Sequence, residues 1–148
     1  MAKILVVDDS ITAAKFVELV LSSNGHTPAL AADGDEALAR LNAENFDLII
    51  LDIVMPRKNG YQLCREIKHK EQYRDIPVIM LTSKNMDADK FWAIRQGAND
   101  YLTKPCTAEA LMGVVDKHVR SMRKEDDKPQ EIPGLQIAAQ NSYYRFNS

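Results

Sequence analysis

Ile4-Leu5-Val6-Val7-Asp8-Asp9-Ser10 is the stretch on which the fold turns. Four apolar residues run without interruption and end in two acids and a residue suited to start a helix. Leu48-Ile49-Ile50-Leu51-Asp52 and Val78-Ile79-Met80-Leu81-Thr82 repeat the pattern. A strand that is apolar at every position has both faces covered, as in a parallel sheet between two helix layers. In their full extents the runs cover residues 3–7, 46–51 and 76–81; weaker runs at 27–31 and 100–102 complete a set of five.

Helical segments lie between them. Ser10 is placed to cap a helix over 11–23, and Asn24-Gly25 to close it. Asp33-Gly34-Asp35 opens a second, with Ala37, Leu38 and Leu41 on one face. The third, over 60–70, carries Leu63, Cys64 and Ile67. The fourth spans 86–96 and stops at Gly97, with Phe91 and Ile94 expected on its inner face and Trp92 beside them. The fifth starts near Thr107 and carries Leu111, Val114, Val115 and Val119. Five strand–helix units in series predict an α/β doubly wound (βα)5 sandwich with right-handed crossovers. The three histidines, His26, His69 and His118, have no partner at ligand or triad spacing and are expected at the surface.

Composition narrows the field further. The chain has 148 residues, about one domain's worth, and 19 basic against 21 acidic side chains give a formal net charge of -2. Such a balance exerts no general pull on nucleic acid or anionic lipid. No apolar run approaches the roughly 20 residues of a membrane span, and the first residues are too soon acidic for a secretory signal. Cys64 and Cys106 show neither metal spacing nor a secreted disulfide pattern, so a reducing cytoplasm is the expected compartment. Residues 1–120 read as the folded domain. Residues 121–148 read as a linker plus a segment whose Leu135, Ile137, Tyr143, Tyr144 and Phe146 suit docking to a partner or a second copy.

In an open parallel sheet ligands bind beyond the carboxyl ends of the strands. There the chain places Asp8 and Asp9, then Asp52, then Thr82 and Ser83, and finally Lys104-Pro105. Two like charges about 4 Å apart repel by roughly 4 kcal/mol at an effective dielectric near 20. Either a shared proton or a cation must offset that. Oxygen-only donors favour a hard ion such as Mg²⁺, which pairs readily with phosphate. Acids with one ammonium and one hydroxyl, and no His or Cys, suit phosphoryl transfer to a carboxylate.

These stretches, with Asp33-Gly34-Asp35-Glu36-Ala37-Leu38, Leu51-Asp52-Ile53-Val54-Met55-Pro56, Gly60, Gly97-Ala98-Asn99-Asp100-Tyr101 and Leu102-Thr103-Lys104-Pro105, closely resemble the receiver domain of two-component response regulators, the CheY-like family. The resemblance spans about residues 3–119 and implies a flavodoxin-like sheet in the order 2-1-3-4-5. It implies that Asp52 accepts a phosphoryl group from a phosphohistidine on a sensor histidine kinase or phosphotransfer protein. Asp9, Asp52 and the Val54 carbonyl would ligate Mg²⁺, with Asp8 acting through water and Lys104 pairing with phosphoryl oxygens. The Lys104–Pro105 bond is expected to be cis. Thr82 and Tyr101 would switch, Ser83 would leave the site open, and the surface of the fourth helix, fifth strand and fifth helix would change for a downstream protein target. Residues 89–98 resemble regulators from chemosensory systems that control type IV pili. The resemblance implies a phosphoacceptor signalling module rather than an enzyme, and residues past 119 are too few for a DNA-binding output domain.

The competing class is a phosphohydrolase with an aspartyl-phosphate intermediate, of the haloacid dehalogenase type. Such enzymes want a second acid two residues after the nucleophile, where this chain has Val54. Val54 offers no polar group to guide an attacking water, and Lys84 brings positive charge close to the acids. These two positions are predicted to set the lifetime of the phosphorylated state. Dephosphorylation of Val54→Asn and Lys84→Glu should therefore differ in rate from wild type; unchanged rates in both variants would end the idea.

Overall fold

The structure, a computed structural model, describes residues 1–126, and side chains through residue 119. Five strands and five helices alternate: β1 (Lys3–Val7), α1 (Ile11–Ser23), β2 (Thr27–Ala31), α2 (Gly34–Ala43), β3 (Leu48–Leu51), α3 (Gly60–His69), β4 (Val78–Thr82), α4 (Asp87–Arg95), β5 (Asp100–Thr103) and α5 (Ala108–Asp126). All pairings are parallel and the order is β2-β1-β3-β4-β5, as expected. Helix α5 continues six residues past position 120. The expected docking segment lies outside the described residues.

The uninterrupted apolar runs are explained by the two layers. Successive strand side chains point to opposite faces. Leu5, Val7, Ile49, Leu51, Val78 and Met80 therefore meet α2, α3 and α4 through Ala37, Leu41, Leu63, Cys64, Ile67 and Ala93. Ile4, Val6, Leu48, Ile50, Ile79 and Leu81 meet α1 and α5 through Val17, Val20, Leu21, Leu111, Val115 and Val119. Each large side chain so buried contributes about 1.5–3 kcal/mol.

Helix starts follow the capping chemistry. Ser10 Oγ accepts from Ala13 N at 3.3 Å, Asp33 Oδ1 from Glu36 N at 2.8 Å, and Thr107 Oγ1 from Ala110 N at 3.0 Å. Asn59 and Gln62 form a reciprocal capping box at the head of α3. Gly97 ends α4 at a φ of +102°, a conformation that costs most other residues dearly.

Helix α4 departs from its expected orientation. Phe91 and Ile94 are 57% and 50% exposed, Trp92 is 52% exposed, and Ala93 alone is fully buried. Ala93 is the residue of α4 that packs into the core, and the bulky residues are turned outward. Phe91 and Trp92 pack edge to face at 5.8 Å on that outer side. Two histidines also depart from expectation. His26 is half-buried and its Nδ1 accepts from Ala2 N, and His118 is half-buried with Nε2 3.1 Å from Asp100 Oδ2. His69 is exposed, as expected.

Asp100 joins β5 to α5 through His118 and through Lys117 at 3.5 Å, while its Oδ1 accepts from Tyr101 N. Burial works to raise its pKa, but the backbone N–H, the His118 bond and the Lys117 charge outweigh it, and the pKa is lowered. Stability from a depressed carboxyl is present above its unfolded pKa and is lost as pH falls through its folded one. Asp100→Asn keeps the acceptor for Tyr101 but loses the charge. It should cost about 1 kcal/mol at pH 7. In urea titrations the gap to wild type should close as pH falls below the carboxylate range; a gap that persists there would contradict the assignment.

Candidate phosphoacceptor site

Strand register assembles the site. Val7 is paired with Leu51, and Thr82 with Thr103, so the residues that follow each pair emerge side by side on one rim. The backbone ladder continues past the strand ends: Asp52 N donates to Val7 O at 2.9 Å, and Lys104 N to Thr82 O at 2.7 Å. Asp8 N donates to Ala31 O at 3.0 Å. The edge strand β2 brings no chemistry to the rim.

On that rim one ammonium spans two acids. Lys104 Nζ lies 2.6 Å from Asp8 Oδ2 and 3.1 Å from Asp52 Oδ2. Asp8 Oδ1 accepts from Ser10 N at 2.9 Å, and Asp52 Oδ1 from Val54 N at 3.3 Å. Asp8 and Asp52 are buried and Asp9 is exposed, yet carboxylate oxygens from all three lie within 4.8 Å of one another. Burial raises the pKa of Asp8, and the Asp52 charge adds to that, against the opposing pull of Lys104 and the Ser10 N–H. For Lys104 burial pulls downward, but the bond to Asp8 and the two negative charges prevail and its pKa is raised. The ammonium is thereby kept charged. One cation facing three acids still leaves negative charge, and the donors are all oxygen, so the set fits a hard divalent ion. Asp8 spends its oxygens on Ser10 and Lys104, and Asp52 on Val54 and Lys104, which leaves the exposed Asp9 as the freest donor.

The remaining predicted residues fall around this cluster. Thr82 is fully buried, and its Oγ1 accepts from Lys84 N at 3.4 Å. Ser83 is exposed. Val54 is 51% exposed and leaves an apolar side chain two residues past Asp52. The Lys104–Pro105 bond is cis. Tyr101 is half-buried against the core, and its hydroxyl donates to Lys84 O at 2.7 Å. Burial first, then neighbouring negative groups, push its pKa to about 12. The Lys84 side chain differs from expectation: its ammonium is 3.8 Å from Asp89 Oδ1 on α4, so its charge is directed at that helix.

Gly60 has a larger role than its place in a motif suggests. A Cβ there would sit 2.2 Å from Asp52 O and 2.6 Å from Ile53 Cα, because α3 begins directly against the backbone of Asp52. Gly60 N donates to Ile53 O at 2.8 Å and closes the loop. Within that loop Arg57 adopts a φ of 65°, strained for a residue with a side chain, with its guanidinium 2.8 Å from Asp33. The Asn-Gly dipeptide signals a helix start; the close approach to Asp52 is visible only in three dimensions.

A fold of this order carrying acids at two adjacent strand ends and a lysine on a third defines a phosphoacceptor module. Residues 4–116 match the family model described as the response regulator receiver domain, and the chain belongs to that family. It is 40% identical over 116 residues to Protein PilH of Pseudomonas aeruginosa, covering 78% of this chain and 96% of that one. It is also 40% identical over 124 residues to Protein PilG of the same organism, covering 84% and 92%. Among solved structures it is similar to the chemotaxis protein CheY4 of Vibrio cholerae (36% identity, TM-score 0.76, 79% of this chain and 98% of that one). A second is the receiver domain of the sensor histidine kinase PA1611 of Pseudomonas aeruginosa, which has a magnesium ion coordinated in its active-site cleft (31% identity, TM-score 0.74, 80% and 97%). The haloacid dehalogenase reading is not favoured.

Gly60→Ala should force α3 away from the backbone of Asp52 and Ile53. The expected cost is about 3 kcal/mol in urea unfolding, at the upper end for an overpacked site, together with loss of divalent-ion binding. Wild-type stability in this variant would contradict the close approach.

Proposed function

We propose that the chain is a response regulator that takes a phosphoryl group onto Asp52 from a phosphohistidine of a sensor kinase or phosphotransfer protein. A carboxylate oxygen of Asp52 attacks phosphorus, the P–N bond to the donor histidine breaks, and its electron pair returns to the imidazole. The product is an acyl phosphate and a free donor histidine. The observation that carries this reading is the Lys104 ammonium held against both Asp8 and Asp52 on the rim of the sheet. It is placed to lose its bond to Asp52 and gain one to the incoming phosphoryl oxygens, where charge accumulates.

Mg²⁺ is the cofactor of this reading, held by Asp9, Asp52 and the Val54 carbonyl, with Asp8 acting at one remove. When bound, it would neutralise charge on the phosphoryl oxygens. The buried Thr82 hydroxyl is the group that answers the new phosphoryl charge, drawing with it the loop 83–86. Tyr101, tied to that loop at Lys84 O, follows, and the surface formed by α4, β5 and α5 changes for a downstream protein target. Ser83 at the mouth leaves the acceptor accessible, and Val54 beside it, with Lys84 acting through the loop that its ammonium ties to Asp89, governs how long the modification lasts. The likeness to PilH and PilG supports a role in pilus motility or chemosensing. The surroundings of this chemistry would be the cytoplasm, and the segment 121–148 would serve as a linker and docking element for a partner or a second copy.

Acetyl phosphate with Mg²⁺ should add the mass of one labile phosphoryl group to the intact protein. Asp52→Asn should acquire none. Labelling of Asp52→Asn equal to wild type, or continued turnover of acetyl phosphate without a modified protein, would contradict the proposal.

A further inference from the structure

We propose that Tyr61 and Asp89 form a strap that fixes the first turn of α4 and sets how readily the chain adopts its phosphorylated form. Both act as positioning residues, and the proposal rests on Asp52 being the acceptor. Tyr61 Oη donates to the backbone carbonyl of Asp89 at 3.1 Å and lies 3.5 Å from its Oδ1. The other carboxylate oxygen of Asp89 accepts from Met86 N at 3.1 Å, and the Lys84 ammonium stands 3.8 Å from Oδ1. One acidic side chain thus gathers the head of α4, the preceding loop and α3.

The strap is anchored where it matters. Tyr61 follows Gly60, whose position is dictated by the backbone of Asp52 and Ile53. At the other end, the loop 83–86 is held to Thr82 through Lys84 N and to Tyr101 through Lys84 O. Two tyrosines therefore hold this region: Tyr101 of β5 holds the loop, and Tyr61 of α3 holds the helix turn after it. Both rings pack against the same core. Burial and the nearby Asp89 raise the pKa of Tyr61, so its hydroxyl stays a donor at neutral pH.

Any inward movement of Thr82 must carry Lys84, and with it the group that faces Asp89. A contact made in the resting arrangement and loosened in the phosphorylated one biases the equilibrium toward rest by the difference. One neutral hydrogen bond of this kind is worth roughly a two- to tenfold change in an equilibrium constant. Tyr61→Phe keeps the ring in the core and deletes only the donor.

Trp92, the single tryptophan, lies three residues beyond Asp89 on the outer face of α4 and reports on that helix alone. The test is titration of the full chain with beryllofluoride in Mg²⁺, followed by Trp92 emission, beside the melting temperature of the untreated protein. Wild type should show a saturable change. Tyr61→Phe should reach its midpoint at about two- to tenfold lower beryllofluoride, and Asp89→Asn should move in the same direction. A lower melting temperature with an unshifted midpoint in both variants would make the contact merely structural and overturn the proposal. No response in wild type would remove the acceptor reading and this proposal with it, an outcome distinct from a wild-type response that the variants reproduce.

Discussion

The Lys104 ammonium, 2.6 Å from one buried acid and 3.1 Å from another, is the interaction on which the rest of the structure depends. Asp8 and Asp52 emerge from neighbouring parallel strands, and without a counter-charge their repulsion would work against the register that joins β1 to β3. Lys104 directly follows β5, with β4 lying between. Its hold on both acids ties the carboxyl ends of the central strands to the far edge of the sheet. The arrangement remains short of positive charge, and that residual field is what a divalent ion or a phosphoryl-bearing partner would answer.

Rigidity and responsiveness are divided along the same lines. The two apolar layers and the backbone ladder that continues to Asp52 and Lys104 hold the acidic rim in place. The loop after β4 is held by a few side-chain bonds from Thr82, Tyr101 and Asp89, each worth about a kcal/mol, which makes it weakly held beside the two apolar layers. Beyond them lies α4, with a single fully buried residue and an outer face of Phe91, Trp92 and Ile94. A helix so lightly attached is suited to move.

What could be read from the sequence follows from the range of each interaction. The uninterrupted runs at Ile4–Val7, Leu48–Leu51 and Val78–Leu81 announce a two-sided sheet because burial is written into consecutive residues. The acids and Lys104 stand at strand ends, so their convergence follows once the sheet is parallel. Helix α4 was opaque because its apolar residues are spread around the helix, and only contact with the sheet edge decides that Ala93 faces inward. Tyr61 meeting Asp89 across 28 positions, or Lys68 reaching the carbonyls of Arg74 and Ile76 and the side chain of Asn99, leaves no local trace. The position of Lys84 in the chain puts its charge near the acids, but its side chain turns to the carboxylate of Asp89.

The most direct measurement is a crystal structure of the full chain with Mg²⁺ and beryllofluoride. The account predicts beryllium bonded to an Asp52 carboxylate oxygen, the metal between Asp9 and Asp52, and Lys104 Nζ moved from Asp52 onto a fluorine. Beryllofluoride bound elsewhere, or Lys104 turned away from it, would contradict the account.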